Sequence, residues 1–175
     1  MVSMLAKFFR ISLSQGKDII PLQKELEHAV SYLSIQNVRF QDKFTFTVDW
    51  DEKLADCLCP KLVIQPLLEN AVYHGMEGMY EDGEIQLKIY AVNELVHIDV
   101  IDNGEGMTEA QVQKMMQGDV VSSKRGSGIG VKNVNDRIKL YFGEAYGVQI
   151  ISAPDEGTTA RIYFPMRRQE DETEK

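Results

Sequence analysis

The chain has 175 residues, 43% of them hydrophobic and 26% charged, which is enough for one buried core and ordinary for a globular domain. Acidic side chains outnumber basic ones, 27 to 19, and no Lys/Arg-rich block offsets the net charge of -8, so nucleic acid is disfavoured as a partner. No run of about 18 apolar residues occurs, and the opening Met1 to Ile11 is broken by Lys7 and Arg10 and lacks a cleavage pattern, so the sequence predicts a soluble chain without membrane contact.

Apolar residues at Leu5, Phe8, Phe9 and Ile11 predict a first helix ending near Ser14, followed by a polar turn ahead of Pro21. From Leu22 to Phe40, Leu22, Leu26, Ala29, Val30, Leu33 and Val38 recur at mostly 3- and 4-residue steps, the stripe of an amphipathic helix whose polar face is made by Lys24, Glu25, Glu27 and Gln36. Phe44, Phe46 and Val48 alternate with polar residues as a strand does, Asp51 to Pro60 reads as a loop, and a helix is expected over roughly Pro60 to Met76. Cys57 and Cys59 have no second pair or nearby histidines to complete a metal site and are read as small apolar filler. Strands over Glu84 to Ala91 and Leu95 to Asp102 are joined by a tight turn, and Thr108 is placed to cap a short helix through Met116. A helix over Gly128 to Phe142 follows a polar, glycine-containing stretch, and strands over Val148 to Ser152 and Thr158 to Phe164 flank a turn at Pro154 to Gly157. The charged tail from Arg167 to Lys175 is expected to be disordered. Antiparallel strand neighbours with helices between them predict an α+β two-layer sandwich, a mixed and mostly antiparallel sheet with helices on one face.

Four segments have the chemistry of a site. Glu69, Asn70 and His74 lie on the helix after Pro60, with Asn70 and His74 four apart on one face. The Asn70 amide oxygen is a hard donor suited to Mg²⁺ and the Glu69 carboxylate can orient an attacking group, although the same residues fit the polar face of any amphipathic helix. Asp102-Asn103-Gly104-Glu105-Gly106-Met107 follows a strand, where a carboxylate can accept from an adenine amino group and glycines let the backbone pass close to the base; Asn-Gly is also a hairpin signal, but the stretch after it is helical. Gly126, Ser127, Gly128, Ile129 and Gly130 open a helix, where backbone N–H groups can hold phosphate, or they form a flexible linker. Their G-x-G-x-G spacing matches neither a dinucleotide fingerprint nor a phosphate loop of the G-x-x-x-x-G-K type. Thr158, after Gly157, is placed to reach the adenine side, as any Gly-Thr after a turn would be.

In this order the segments resemble the four boxes of the ATPase superfamily that joins gyrase, Hsp90, histidine kinases and MutL. The stretch L-x-x-E-L-x-x-A-x-x-Y-L-x-I-Q (Leu22 to Gln36), Arg39-Phe40, and G-I-G-x-x-N-x-x-x-R-I-x-x-x-F-G (Gly128 to Gly143) make the chain similar to LytS/YesM-type sensor histidine kinases. The resemblance implies a Bergerat-type ATP-binding domain over 43–166, a helical linker over 1–42 left from a dimerisation region, and ATP and Mg²⁺ as cofactors. It implies Asn70 as the Mg²⁺ ligand, Glu69 as the polarising group, Asp102 as the adenine contact supported by Thr158, and Gly104, Gly106 and Met107 as the base-side loop. It assigns Gly126 to Gly130 to the triphosphate, with His74, Asn133, Lys124 and Arg125 as further phosphate candidates and Gly118 to Arg125 as a mobile lid.

The family's phosphoacceptor lies in a His-Phe-Leu-Tyr-Asn-like stretch upstream; none of His28, His74 or His97 replaces it, so the chain is expected to bind ATP without labelling itself. The resemblance further implies a parent protein in the bacterial cell membrane with this domain in the cytoplasm, a homodimer when intact, and a response regulator as phosphate recipient. Tyr73 stands where many relatives carry lysine, which is expected to weaken a phosphate contact or shift it to the lid. An anti-sigma-type serine kinase and a non-catalytic nucleotide-dependent interaction module are the alternatives.

Overall fold

The computed structural model describes residues 18–41, 43–75, 82–119 and 129–169, the side chains of 74 and 75 excepted. The expected first helix before Ser14, the part of the charged tail beyond 169, residues 120–125 of the expected lid including Lys124 and Arg125, and Gly126, Ser127 and Gly128 lie outside the described residues. The start of the tail, expected to be disordered, is instead ordered, with the Arg167 carbonyl accepting from Leu58 N–H and Arg168 bridged to Cys57.

Strand β1 (Ile19–Pro21) leads directly into helix α1 (Leu22–Arg39), which Pro21 opens in an extended conformation. Of the predicted stripe, Leu22, Leu26, Ala29 and Leu33 belong to the main core and Val30 packs against it, with Tyr32 buried beside them. Each large side chain among them contributes about 1.5–3 kcal/mol on burial. Two residues assigned to the polar face do not stay there, since Glu25 and Gln36 are buried, and Val38 of the stripe is exposed. Glu25 can enter the core because three backbone N–H groups await it, as described below.

Strand β2 (Phe44–Trp50) and a single 3₁₀ turn at Glu52–Leu54 precede β3 (Leu58–Pro60), which pairs antiparallel with β1. The loop expected over Asp51 to Pro60 therefore ends in a strand, and the next helix starts later than predicted, as α2 (Gln65–Asn70). It continues as one π-helical turn over Ala71–Gly75. Pro60 cannot begin that helix because its segment is committed to β1, and Leu62 adopts a left-handed φ of 58° that interrupts any helical run.

Strands β4 (Gly83–Val92) and β5 (Leu95–Asp102) form the predicted hairpin, with Asn93 and Glu94 both at positive φ. Helix α3 (Glu109–Gln117), helix α4 (Ile129–Phe142), β6 (Gly147–Ser152) and β7 (Thr158–Pro165) complete the chain. The five-stranded sheet runs β2-β4-β5-β7-β6, parallel only between β2 and β4. The architecture is the predicted α+β sandwich. Ile85, Leu87, Ile89, Val96, Ile98, Val100, Ala160, Ile162 and Phe164 make the core side of the sheet, with Phe142 of α4 stacked on Phe164 at 4.9 Å between ring centroids. The opposite side carries a polar network in which Arg161 grips both oxygens of Asp99 at 2.8 Å and Tyr90 donates to Asp99 at 3.0 Å.

Candidate functional site

At the end of β5 the chain must turn from a buried strand into the loop leading to α3, and Asp102 is the last strand residue. Its side chain is buried, facing the core side with Val96, Ile98 and Val100, because residues two apart share a sheet face. Gly104 N–H donates to its Oδ1 at 3.0 Å. Burial raises the Asp102 carboxyl pKa to about 6, with the backbone N–H groups of Gly104 and Thr158 pulling the other way. A buried carboxylate with spare acceptor capacity and no basic partner among those causes can take a donor from a bound molecule.

The loop after it is shaped by close approach. Gly106 sits at φ 66°, and a Cβ there would lie 1.9 Å from the carbonyl oxygen of Ala153. Gly157, at φ 77°, would put a Cβ 2.1 Å from the Asp102 carbonyl. Both positions demand glycine on conformation and on space. Thr108 caps α3 with a complete capping box, its hydroxyl accepting from Gln111 N–H while the Gln111 amide oxygen accepts from Thr108 N–H at 2.8 Å.

These segments surround an open cleft of about 440 Å³, solvent at its mouth included. Its floor and one wall come from the sheet: Val100, Asp102, Ile150, Thr158 and Ala160. Gly106, Met107 and Met115 form the loop side, and Leu67, Asn70 and Ala71 the side of α2. Thus Asn70, Asp102, Gly106, Met107 and Thr158, separated by up to 88 positions in sequence, meet at one cavity with a polar end at Asp102 and apolar sides (from Asn70 to Thr158).

The remaining candidates stand differently. Glu69 is half-buried on α2, held by Gln65 Nε2 at 2.8 Å. The backbone of His74 falls in the π turn, where i→i+5 bonding replaces the α-helical spacing used to put it on the face of Asn70. Gly104 is buried at the loop start, and Ile129, Gly130 and Asn133 open α4, where Asn133 is exposed; Gly130 lies against Pro66 of α2. Tyr73 is engaged with the end of α1: its hydroxyl accepts from Arg39 Nη1 at 2.7 Å, and its ring meets Phe40 edge-on. No helix among the described residues is long and apolar enough to cross a membrane, and no group of three or more His, Cys, Asp or Glu side chains there is arranged to hold a metal. Asn70, an oxygen donor on the cleft wall, fits a hard cation bound jointly with a ligand and not by a protein cage.

Ser152 escaped the sequence reading. Its hydroxyl donates to the Gly157 carbonyl at 2.8 Å, accepts from Met107 N–H at 2.8 Å, and lies 2.9 Å from the Thr158 hydroxyl. One serine thereby ties the loop of Gly106 and Met107 to the start of β7. The Thr158 hydroxyl, expected to face the adenine side freely, is engaged with it.

Comparison with known proteins places the chain in a family. The family described as histidine kinase-, DNA gyrase B- and HSP90-like ATPase matches residues 56–168, and the histidine kinase family matches residues 1–44. Sensor histidine kinase YesM of Bacillus subtilis (strain 168) is 37% identical over 169 residues, 97% of this chain. Sensor protein LytS of Bacillus anthracis is 32% identical over 96% of it. The chain spans 28% of the length of each of these two relatives. Among solved structures, the catalytic domain of histidine kinase ThkA aligns with a TM-score of 0.65 at 16% identity, covering 85% of this chain and 96% of that one. Acinetobacter baumannii histidine kinase AdeS aligns at 0.62 and 14% identity, covering 95% and 77%. At these identities the structural likeness speaks for the fold.

Proposed function

Since the chain belongs to the histidine kinase-, DNA gyrase B- and HSP90-like ATPase family, we propose that its cleft binds Mg-ATP, with adenine against Asp102, as the catalytic part of a sensor histidine kinase. The observation that carries the reading is the buried Asp102 carboxylate lining the same, largely apolar, cleft as Asn70. Asp102 accepts from the adenine amino group, Gly106 lets the base lie close to the backbone, and Met107 and Met115 cover its faces. Ser152 keeps that loop in register with Thr158.

Asn70 supplies the metal ligand, and Mg²⁺ when bound neutralises phosphate charge. Glu69, one position before it, orients the attacking imidazole once released from Gln65. The N–H groups from Gly126 to Gly130, with His74, Lys124, Arg125 and Asn133, hold the phosphates on this reading. The chain's residues thus position and stabilise charge, which is most of what phosphoryl transfer requires. Residues 1–42 act as the linker from a dimerising, phosphoacceptor-bearing region and 43–166 as the ATPase domain. The histidine helix of the parent kinase is the direct acceptor, a response regulator the next, and the parent is a homodimer in the bacterial membrane with this domain in the cytoplasm.

The test is calorimetric titration of Mg-ATP into the chain and into its Asp102→Asn variant, followed by transfer of labelled phosphate to a supplied histidine-bearing helix. Saturable binding that the variant loses, with acid-labile labelling of the helix, is expected. Labelling of serine would favour the anti-sigma-type kinase, binding without any transfer would favour the interaction module, and no binding to the folded chain would overturn the reading.

A further inference from the structure

Two residues of the sequence motifs have no part in the cleft: Glu25 of L-x-x-E-L on α1, and Arg137, the arginine of the box on α4. Both end on the same turn, Lys61 to Ile64, which feeds the helix carrying Glu69 and Asn70. Glu25 Oε2 accepts from Leu62 N–H at 2.9 Å, and its Oε1 accepts from Val63 N–H at 2.8 Å and Ile64 N–H at 3.0 Å. The carboxylate is fully buried, and burial pushes its pKa up while the three N–H groups and Arg137 hold it down.

Helix α2 has no side-chain cap of its own, so its entry is closed by a residue 37 to 39 positions earlier on another helix. Leu62, at φ 58°, occupies a conformation that costs a non-glycine residue energy and persists only where the surroundings hold it. From the other side Arg137 Nη1 donates to the Lys61 carbonyl at 2.7 Å. At the far end of α1, Arg39 bonds Tyr73 in the π turn that follows Asn70. Helix α1 therefore holds the Asn70 segment both before and after Asn70. The adenine-side residues Asp102, Gly106 and Thr158 belong instead to the sheet and its loops.

We propose that Glu25 is a positioning residue for the phosphate side of the cleft: with Arg137 it sets where Asn70 stands relative to Asp102, so that displacement of α1 alters Mg²⁺-dependent nucleotide binding without disturbing the adenine side. The inference rests on the reading of Asn70 given above. It turns helix α1 into a lever on one half of the site, and explains why two separate motifs converge on a turn outside the cleft lining.

The decisive quantity is the gain in ATP affinity that Mg²⁺ confers, taken as the ratio of affinities in Mg²⁺ and in EDTA on the whole 175-residue chain. Glu25→Gln keeps the size of the side chain, but its amide nitrogen cannot accept, leaving at least one buried N–H unpaired. That variant is expected to lose about tenfold of the Mg²⁺-dependent gain while its affinity in EDTA stays at the wild-type value. Arg137→Ala, at an exposed position that leaves folding intact, should lose part of the same gain.

A merely structural role for Glu25 lowers both affinities together, and that result overturns the proposal, as does an unchanged ratio. If Glu25→Gln does not fold, Arg137→Ala decides alone by the same criterion. Wild-type chain that binds ATP without any Mg²⁺ gain removes the role of Asn70 and this inference with it. Wild-type chain that binds no ATP is the separate failure of the proposed function.

Discussion

Asp102 keeps 8% of its surface exposed, and its carboxyl titrates near 6 instead of the ordinary 3.8. Between about pH 4 and 6 the folded chain therefore holds a proton that the unfolded chain has released, so stability falls as pH rises through that window. Above it, the buried charge costs the nucleotide-free chain about 1–3 kcal/mol. Asp102→Asn is accordingly expected to raise stability by that amount in urea denaturation at pH 7.5, with the gain vanishing at pH 4. A variant less stable than wild type at pH 7.5 would show that the carboxylate is held for stability. The expected outcome is the reverse, a residue whose burial is repaid only by a ligand, the usual form of conflict between stability and function. Ser152 makes the complementary case. Its three hydroxyl contacts exist only because β6 and β7 pair in the observed register, opposite Ser152 to Thr158. No local signal in Ile151-Ser152-Ala153 announces it.

Helix α3 is held at its start by the Thr108 box and at its end by Gly118 at φ 85°, and it delivers Met115 to the cleft. Thr108→Ala should cost about 1 kcal/mol in thermal or urea unfolding, and Thr108→Ser should restore it, because only the capping hydroxyl is at stake. Equal stabilities for wild type and the alanine variant would remove the cap from the account. This cap, the β4–β5 hairpin and α1 were legible in the sequence because each is written in a local code: a box four residues long, a two-residue turn, or 18 residues of helical periodicity. The β1–β3 pair was not, since strands of three residues have no period to read. The start of α2 was misread for a related reason. What ends the preceding turn is Glu25, on another helix, and a carboxylate bound for the core looks in sequence like one more polar residue on an amphipathic helix. Of the cleft, Asn70, Asp102, Gly106, Met107 and Thr158 were recoverable as residues, but only the fold supplies their common cavity.

At the scale of the whole molecule, Ile20 of β1 and Leu22, Leu26, Ala29, Tyr32 and Leu33 of α1 share one core with the sheet and with α2 and α4. β3 pairs on one side with β1, and its first residue, Leu58, donates its N–H to the carbonyl of Arg167, just beyond β7, at 2.8 Å. A chain beginning at Lys43 loses those six side chains and the β1 pairing, and is expected to unfold cooperatively at a much lower temperature than the full chain, or to aggregate. Calorimetric melting of the two chains checks this; equal midpoints would mean that the linker only leans on the domain.

The sheet order has one more consequence. β7, the last strand in sequence, lies between β5 and β6, and it brings Thr158 and Ala160 to the cleft and sets Thr158 beside Asp102. While the chain is still being made on a ribosome, everything through β6 can emerge with an empty slot between β5 and β6. That wall of the cleft is thus the last part of the described fold to be made, and a ligand that needs it can act only on a chain whose synthesis has passed β7.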